Sequence, residues 1–153
     1  SLIWATWFGD VLIQMFPEDA PNHVARIKEL VRQGFYDGLK FHRVIDGFMA
    51  QTGDPLGNGT GGSGKNLKAE FNNRPHKRGA VSMARAADPN SADSQFFICF
   101  DDSTFLDRQY TVWGQVISGM QAVDKIKRGT GPNGMVYDPD KIISMSVVAD
   151  LQK

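Results

Sequence analysis

The chain has 153 residues, 17 Lys+Arg against 17 Asp+Glu and a single cysteine. A length of this order is enough for one domain with a substantial core and no disulfide or metal staple. The balanced charge, with no run of Lys or Arg longer than two, gives no basic footprint for nucleic acid. No apolar stretch approaches the roughly 20 residues of a membrane span, so neither nucleic acid nor membrane is expected as a partner.

In chain order, residues 2–7 and 11–16 are rich in aromatic and β-branched side chains around Gly9-Asp10, which predicts a β-hairpin. Asp19 or Asn22 is the expected cap of a helix with Pro21 in its first turn. Val24, Ile27, Leu30 and Val31 follow at helical spacing, and Gly34 ends the run. Residues 35–51 read as strand, break at Asp46-Gly47, then strand. A glycine-rich irregular stretch covers about residues 52–78. Strands are expected over residues 79–84, 95–100, 110–116 and 142–149, with a second short helix marked by Met120, Val123 and Ile126. Two helices among some eight short strands, without regular alternation, favour an antiparallel barrel or sandwich over a doubly wound sheet. Neither repeats nor a linker divide the chain, and one domain over residues 1–153 is expected.

Two segments carry the chemistry. Phe41-His42-Arg43-Val44-Ile45-Asp46-Gly47-Phe48-Met49-Ala50-Gln51 and Ser94-Gln95-Phe96-Phe97-Ile98 set one arginine and two glutamines among flat apolar side chains. Neither offers a nucleophile with its base, a metal-ligand cluster or paired carboxylates. Such a site suits a neutral, extended, partly apolar ligand, which describes a peptide.

Other patterns have plainer readings. Gly57-Asn58-Gly59-Thr60-Gly61-Gly62 fits G-x-G-x-x-G, and Gly59 to Lys65 fits a phosphate loop up to its last position, where Asn66 replaces Ser/Thr. Neither sits between a buried strand and a helical stripe, so a flexible or tightly turning glycine loop is the better account. His23, His42 and His76 lack metal-ligand spacing. Ser82, Ser94 and Ser144 lack a spacing that implicates a neighbouring base. Cys99, within Phe96-Phe97-Ile98-Cys99-Phe100, reads as a small buried hydrophobe.

Phe41-His42-Arg43, Gly47-Phe48-Met49-Ala50-Gln51, Asn58-Gly59-Thr60-Gly61-Gly62, Ser82-Met83-Ala84, Ser94-Gln95-Phe96-Phe97-Ile98 and Phe105-Leu106-Asp107 occur in the order found in cyclophilin-type peptidyl-prolyl isomerases. The resemblance covers nearly the whole chain, and the short first helix and compact loop before Phe35 are similar to bacterial members. It implies a closed eight-stranded antiparallel β-barrel capped by two α-helices, and an enzyme that accelerates rotation about X-Pro bonds and assists protein folding. No cofactor or metal is implied. By motif position it implies that Arg43 is the catalytic arginine. Phe48, Met49, Phe97 and Leu106 would form the proline pocket, and Gln51 and Gln95 would bond the substrate or orient the arginine. Gly59, Ala84, Arg85 and Ala86 would line the groove along the peptide backbone. Arg85 stands where many members have Asn, Phe105 replaces a frequent Trp and Tyr110 a frequent His; these read as altered ligand preference with activity retained. The implied partners are proline-containing peptides and folding proteins, with weak binding of the cyclic peptide cyclosporin. A monomer in the cytoplasm is expected, with the periplasm as the alternative compartment. Rival readings are a cyclophilin-like binding module with little turnover and a nucleotide-dependent enzyme; the missing strand–helix context opposes the latter.

Overall fold

A computed structural model describes residues 1–151; residues 152 and 153, the end of the predicted domain, lie outside the described residues. β1 (Leu2–Thr6) and β2 (Asp10–Met15) form the expected hairpin, with Ile3 opposite Ile13 and Ala5 opposite Val11. Period-two alternation turns these four side chains, with Met15, into the core. α1 (Pro21–Arg32) follows and buries Val24, Ile27, Leu30 and Val31. Its C-terminus closes through Gly34 at φ 71°, whose N–H meets the Val31 carbonyl while Phe35 N–H reaches back to Leu30. This paired arrangement needs a left-handed residue, which glycine supplies without strain.

The helix start corrects the sequence expectation. Neither Asp19 nor Asn22 caps it; the N-cap position is Ala20, which makes no side-chain bond. Asp19 instead accepts from Arg74 Nε at 2.8 Å. Glu70, distant in sequence, takes the exposed helix donors: its carboxylate accepts from Asn22 N–H (3.1 Å) and His23 N–H (2.8 Å). A carboxylate there also meets the positive end of the helix dipole.

The remaining strands are β3 (Arg43–Ile45), β4 (Met49–Thr52), β5 (Ala80–Met83), β6 (Phe96–Cys99), β7 (Val112–Ser118) and β8 (Ser144–Val147), with α2 (Met120–Asp124) and α3 (Val148–Leu151). All neighbours pair antiparallel in one eight-stranded sheet of order β3-β4-β6-β5-β7-β2-β1-β8. The family architecture is thus present, but the ladder is not closed: β3 and β8 are the two edges. The physical reason lies at β3. Its outer edge is occupied by the loop of residues 129–136, with Val44 N–H donating to Gly134 and the Val44 carbonyl accepting from Gly129, both at 2.8 Å. A loop that satisfies the edge protects β3 against pairing with another chain, and the two ends of the sheet meet just outside these strands, at the isolated bridge between Lys40 and Lys141. The closing strand is also shorter than the 142–149 expected, because residues 148–151 turn into α3, a third helix where two were expected. Residues 35–40 are mainly turn where a strand was expected.

The main core lies on the inner face of the curled sheet. Trp113, Tyr36, Phe41 and Phe96 are its largest fully buried side chains, and Phe96 stands edge-on to both Trp113 (5.5 Å) and Tyr36 (5.4 Å). β4, β5 and β6 are buried at every residue. Their inward side chains (Ala50, Val81, Met83, Phe96, Ile98) join this core, while Met49, Ala80, Phe97 and Cys99 form a second apolar cluster with Leu106 on the opposite face. Cys99 is buried as expected, and burial pushes its thiol up to about 12.

Three histidines are also buried. Burial holds His23, His42 and His76 below their ordinary value of 6.5, outweighing the raising influence of Glu70, Asp54 and Asp107 respectively. As pH falls the unfolded chain therefore takes up protons before the folded one does. Stability from these groups is complete above about 6.5 and is lost as pH falls from there toward the folded values. Thermal denaturation is expected to give a level Tm from about pH 8 to 7 and a decline below about 6.5, before most carboxylates titrate near 4. A Tm unchanged down to about pH 5 would contradict neutral burial of these rings.

Candidate active site

The second apolar face becomes a site because strand register aligns its side chains in one row. Arg43 lies opposite Gln51, Gln51 opposite Phe97, and Phe97 opposite Ser82, across β3, β4, β6 and β5. Residues directly opposite in a sheet point to the same face. The two segments that stood out in the sequence thus meet through adjacent strands.

A cavity of about 150 Å³ opens on this row. Phe48, Met49, Phe97 and Leu106 supply apolar wall, Arg43 and Gln51 a polar one, and Ala84, Arg85 and Tyr110 the remainder. A second cavity of about 140 Å³ adjoins it through Gln51, Ala84 and Arg85, and is completed by Gly59, Gly61, Ala86, Asp93 and Gln95. Every site residue expected from sequence borders one of these cavities except Phe105. That ring is 72% exposed and stands on the rim, 5.6 Å from the ring of Phe48. Among the neighbouring phenylalanines, Phe96 and Phe100 belong to the core and only Phe97 faces the cavity.

Arg43 is held at both sides of its guanidinium. Nε donates to the Asn133 carbonyl at 2.9 Å and Nη1 to Gln51 Oε1 at 3.3 Å. Gln51 Nε2 donates to Gln95 Oε1 at 2.9 Å, and Gln95 Nε2 donates to the carbonyls of Gly59 (3.1 Å) and Gly61 (2.9 Å). The far end fixes the direction of the whole chain. Carbonyls only accept, so Gln95 must offer them its NH₂ and turn its oxygen to Gln51. Gln51 must then turn its own oxygen to Arg43. Close approach of β4 and β6 makes this possible: a Cβ on Gly53 (φ 95°) would lie 2.6 Å from the Ser94 carbonyl oxygen.

The glycine loop that ends the relay is organised by Asp54, which sequence reasoning missed. Its carboxylate accepts from the N–H groups of Leu56 (2.8 Å), Asn58 (3.0 Å) and Gly59 (2.5 Å). Burial favours the neutral acid, but these donors, with Gly61, hold the carboxyl below the usual carboxylate range. An aspartate just before a glycine-rich turn is the signal that could have exposed it. Residues 53–79 contain no helix, which removes the strand–loop–helix context of a phosphate loop.

Ser82 corrects a second expectation. It does have a neighbouring base: His76 Nε2 lies 2.8 Å from its Oγ, and Asp107 Oδ1 accepts from both His76 N–H (2.7 Å) and Nδ1 (3.0 Å). That pattern puts the imidazole proton on Nδ1 and makes Nε2 the acceptor of the serine proton. Ser82 and His76 are fully buried, so this trio is closed to substrate. The His76 ring stacks on Phe97 at 6.1 Å and 17°, while Tyr110 meets Phe97 edge-on at 5.8 Å. Together they back the cavity wall. Asn133 was likewise invisible in sequence, because only its main-chain oxygen is used.

A cation aimed by neutral groups beside a small apolar cavity is suited to polarising an uncharged ligand without bond cleavage. Comparison with known proteins agrees. The family model for cyclophilin type peptidyl-prolyl cis-trans isomerase/CLD matches residues 2–147. The chain is 57% identical to a probable peptidyl-prolyl cis-trans isomerase of Brucella suis, covering 93% of this chain and 79% of that protein. It is 47% identical to a peptidyl-prolyl cis-trans isomerase of Helicobacter pylori, covering 84% and 81%. Its structure resembles a cyclophilin from Hirschia baltica (TM-score 0.87, 32% identical, 97% of this chain and 74% of that chain covered). It also resembles a cyclophilin type peptidyl-prolyl cis-trans isomerase of Cryptosporidium parvum crystallised in the presence of the dipeptide Ala-Pro (TM-score 0.89, 27% identical, 96% and 98% covered). With residues 2–147 matched by one model and relatives of this identity along most of its length, the chain belongs to the cyclophilin-type peptidyl-prolyl cis-trans isomerase family.

Proposed function

We propose that the chain is a single isomerase domain that accelerates cis–trans rotation about X-Pro peptide bonds, with Arg43 as its catalytic residue. The observation that carries this reading is the fixed guanidinium of Arg43 at the wall of an apolar cavity. Rotation about a peptide bond breaks amide resonance, against a barrier of ~18–20 kcal/mol. No covalent bond breaks, so the enzyme needs only to bind the twisted amide better than either planar form. In the twisted state the prolyl nitrogen regains a lone pair and becomes an acceptor. A planar, permanently charged donor fork can meet that lone pair as it develops. Because Asn133 and Gln51 already orient the fork, little reorganisation accompanies the reaction.

The apolar wall of Phe48, Met49, Phe97 and Leu106 takes the proline ring. The second cavity, with Gly59, Ala84, Arg85 and Ala86, takes the flanking chain. Proline-containing peptides and folding proteins are the substrates that this arrangement fits. The use of the dipeptide Ala-Pro with the similar Cryptosporidium parvum protein supports that class. Among the described residues no helix is long and apolar enough to cross a membrane.

Arg43→Ala is expected to lower kcat/KM for a short Ala-Pro peptide by roughly 10²–10³-fold, with Tm little changed. That loss corresponds to about 3–4 kcal/mol of transition-state stabilisation. Arg43→Lys should also be poor, because an ammonium lacks the fork. An isomerisation assay that retains more than about a third of the activity in Arg43→Ala would overturn this role.

The rim position of Phe105 separates inhibitor from substrate. An indole N–H donates a hydrogen bond that phenylalanine lacks. Phe105→Trp is expected to tighten inhibition by cyclosporin by roughly 2–10-fold, the scale of one neutral hydrogen bond. Turnover of short peptides should change much less, because the ring stands outside the cavity wall. Inhibition curves for both proteins in one buffer are the check; equal constants would exclude the donor as the deciding group.

A further inference from the structure

Arg85 stands where the two cavities meet, and its guanidinium is bonded there by neutral groups. Nε and Nη2 donate to the Gln109 carbonyl at 3.0 and 2.8 Å. Nη1 donates to the carbonyls of Ala86 (2.9 Å) and Ala87 (3.2 Å), and the guanidinium packs over the Tyr110 ring at 4.7 Å. These partners are neutral, so they hold the fork in place without cancelling its charge. The ion pairs among the described residues include none to Arg85.

The acid that shares the second cavity is spoken for. Asp93 Oδ1 accepts from Ser63 N–H (2.9 Å) and Ser63 Oγ (2.5 Å), and Oδ2 from Gly64 N–H (3.0 Å). Its carboxylate also lies 3.5 Å from Arg26 Nη1. Arg43, the other cation at the first cavity, has neutral partners as well. The two cavities together are therefore lined by two cations, Arg43 and Arg85, against one acid, Asp93, whose ion pair is made to Arg26 outside them. Positive charge is thus in excess along the groove, although the chain as a whole is neutral.

We propose that Arg85 is a specificity-determining residue that favours X-Pro substrates with a carboxylate side chain within two residues of the proline. The inference rests on the isomerase reading above. A guanidinium already fixed by backbone carbonyls needs no further ordering to meet a carboxylate, and a partly desolvated groove screens the pair less than open water does. A lysine in the same place on the peptide meets like charge instead.

The test is kcat/KM for neutral-capped peptides carrying Glu, Ala or Lys at each of the four positions nearest proline, at low and high salt. In the wild-type protein the Glu peptide should exceed the Lys peptide by about 3–10-fold at one or more positions, and salt should shrink the ratio. Arg85→Gln should bring that ratio close to one, Arg85→Lys should keep part of it, and Arg85→Glu should invert it. Each ratio is taken within one protein, so a general loss of activity or loop order cancels. A wild-type ratio near one, a ratio insensitive to salt, or a ratio unchanged in Arg85→Gln overturns the proposal. Turnover of the Ala peptides marks the isomerase reading separately: if they turn over and no Glu preference appears, only the role of Arg85 falls. If no peptide turns over, both fall.

Discussion

The site depends on a hydrogen-bond relay whose polarity is set at its far end. Two main-chain carbonyls, Gly59 and Gly61, admit only donors, and that restriction passes through Gln95 and Gln51 to Arg43. Reversing either amide would place two donors or two acceptors face to face. Gln51 is buried, so such a mismatch would cost on the order of 1–3 kcal/mol. Asp54 then matters at a distance, because it fixes the loop that holds those carbonyls. A positioned guanidinium is thus the last link of a chain that begins with a buried carboxylate.

The second constraint is a sheet with two apolar faces. Most antiparallel sheets of this size turn one face to water. Here β4, β5 and β6 are buried on both, with the main core on one side and the cluster of Met49, Phe97, Cys99 and Leu106 on the other. Rigid strands therefore carry Arg43, Met49, Gln51 and Phe97, and the segments between strands add Phe48, Gln95 and Leu106 together with the carbonyls and rim. The trio of buried His76 and Ser82 with half-buried Asp107 fits the same logic. It satisfies polar groups under the apolar wall and seats Phe97 from behind. The same burial that makes the wall firm keeps these rings neutral and ties stability to pH.

Strands and helices were legible where the pattern is local. The β1–β2 hairpin and α1 follow from alternation, Pro21 and Gly34, which act within a few residues of themselves. The cap of α1 was not legible, because Glu70 reaches it from far along the chain. The open edge at β3 was hidden for the same reason: what covers it is main chain from residues 129–136, and carbonyl positions leave no trace in side-chain identity. At the site, Arg43, Gln51, Gln95 and Phe97 were readable as unusual polar groups within apolar runs. Asn133 was not, since only its backbone acts, and Ser82 was misread because six residues to His76 is no standard spacing for a serine and its base.

The central claim is that the relay acts through Arg43, and a double-mutant cycle on kcat/KM tests it most directly. Gln51→Leu alone should cost about tenfold, because the guanidinium loses its orienting acceptor. In an Arg43→Ala background the same change should cost less than about twofold, a coupling of at least about 1 kcal/mol. If instead the two losses multiply, Gln51 acts on the substrate independently of Arg43, and the relay is not what aims the arginine.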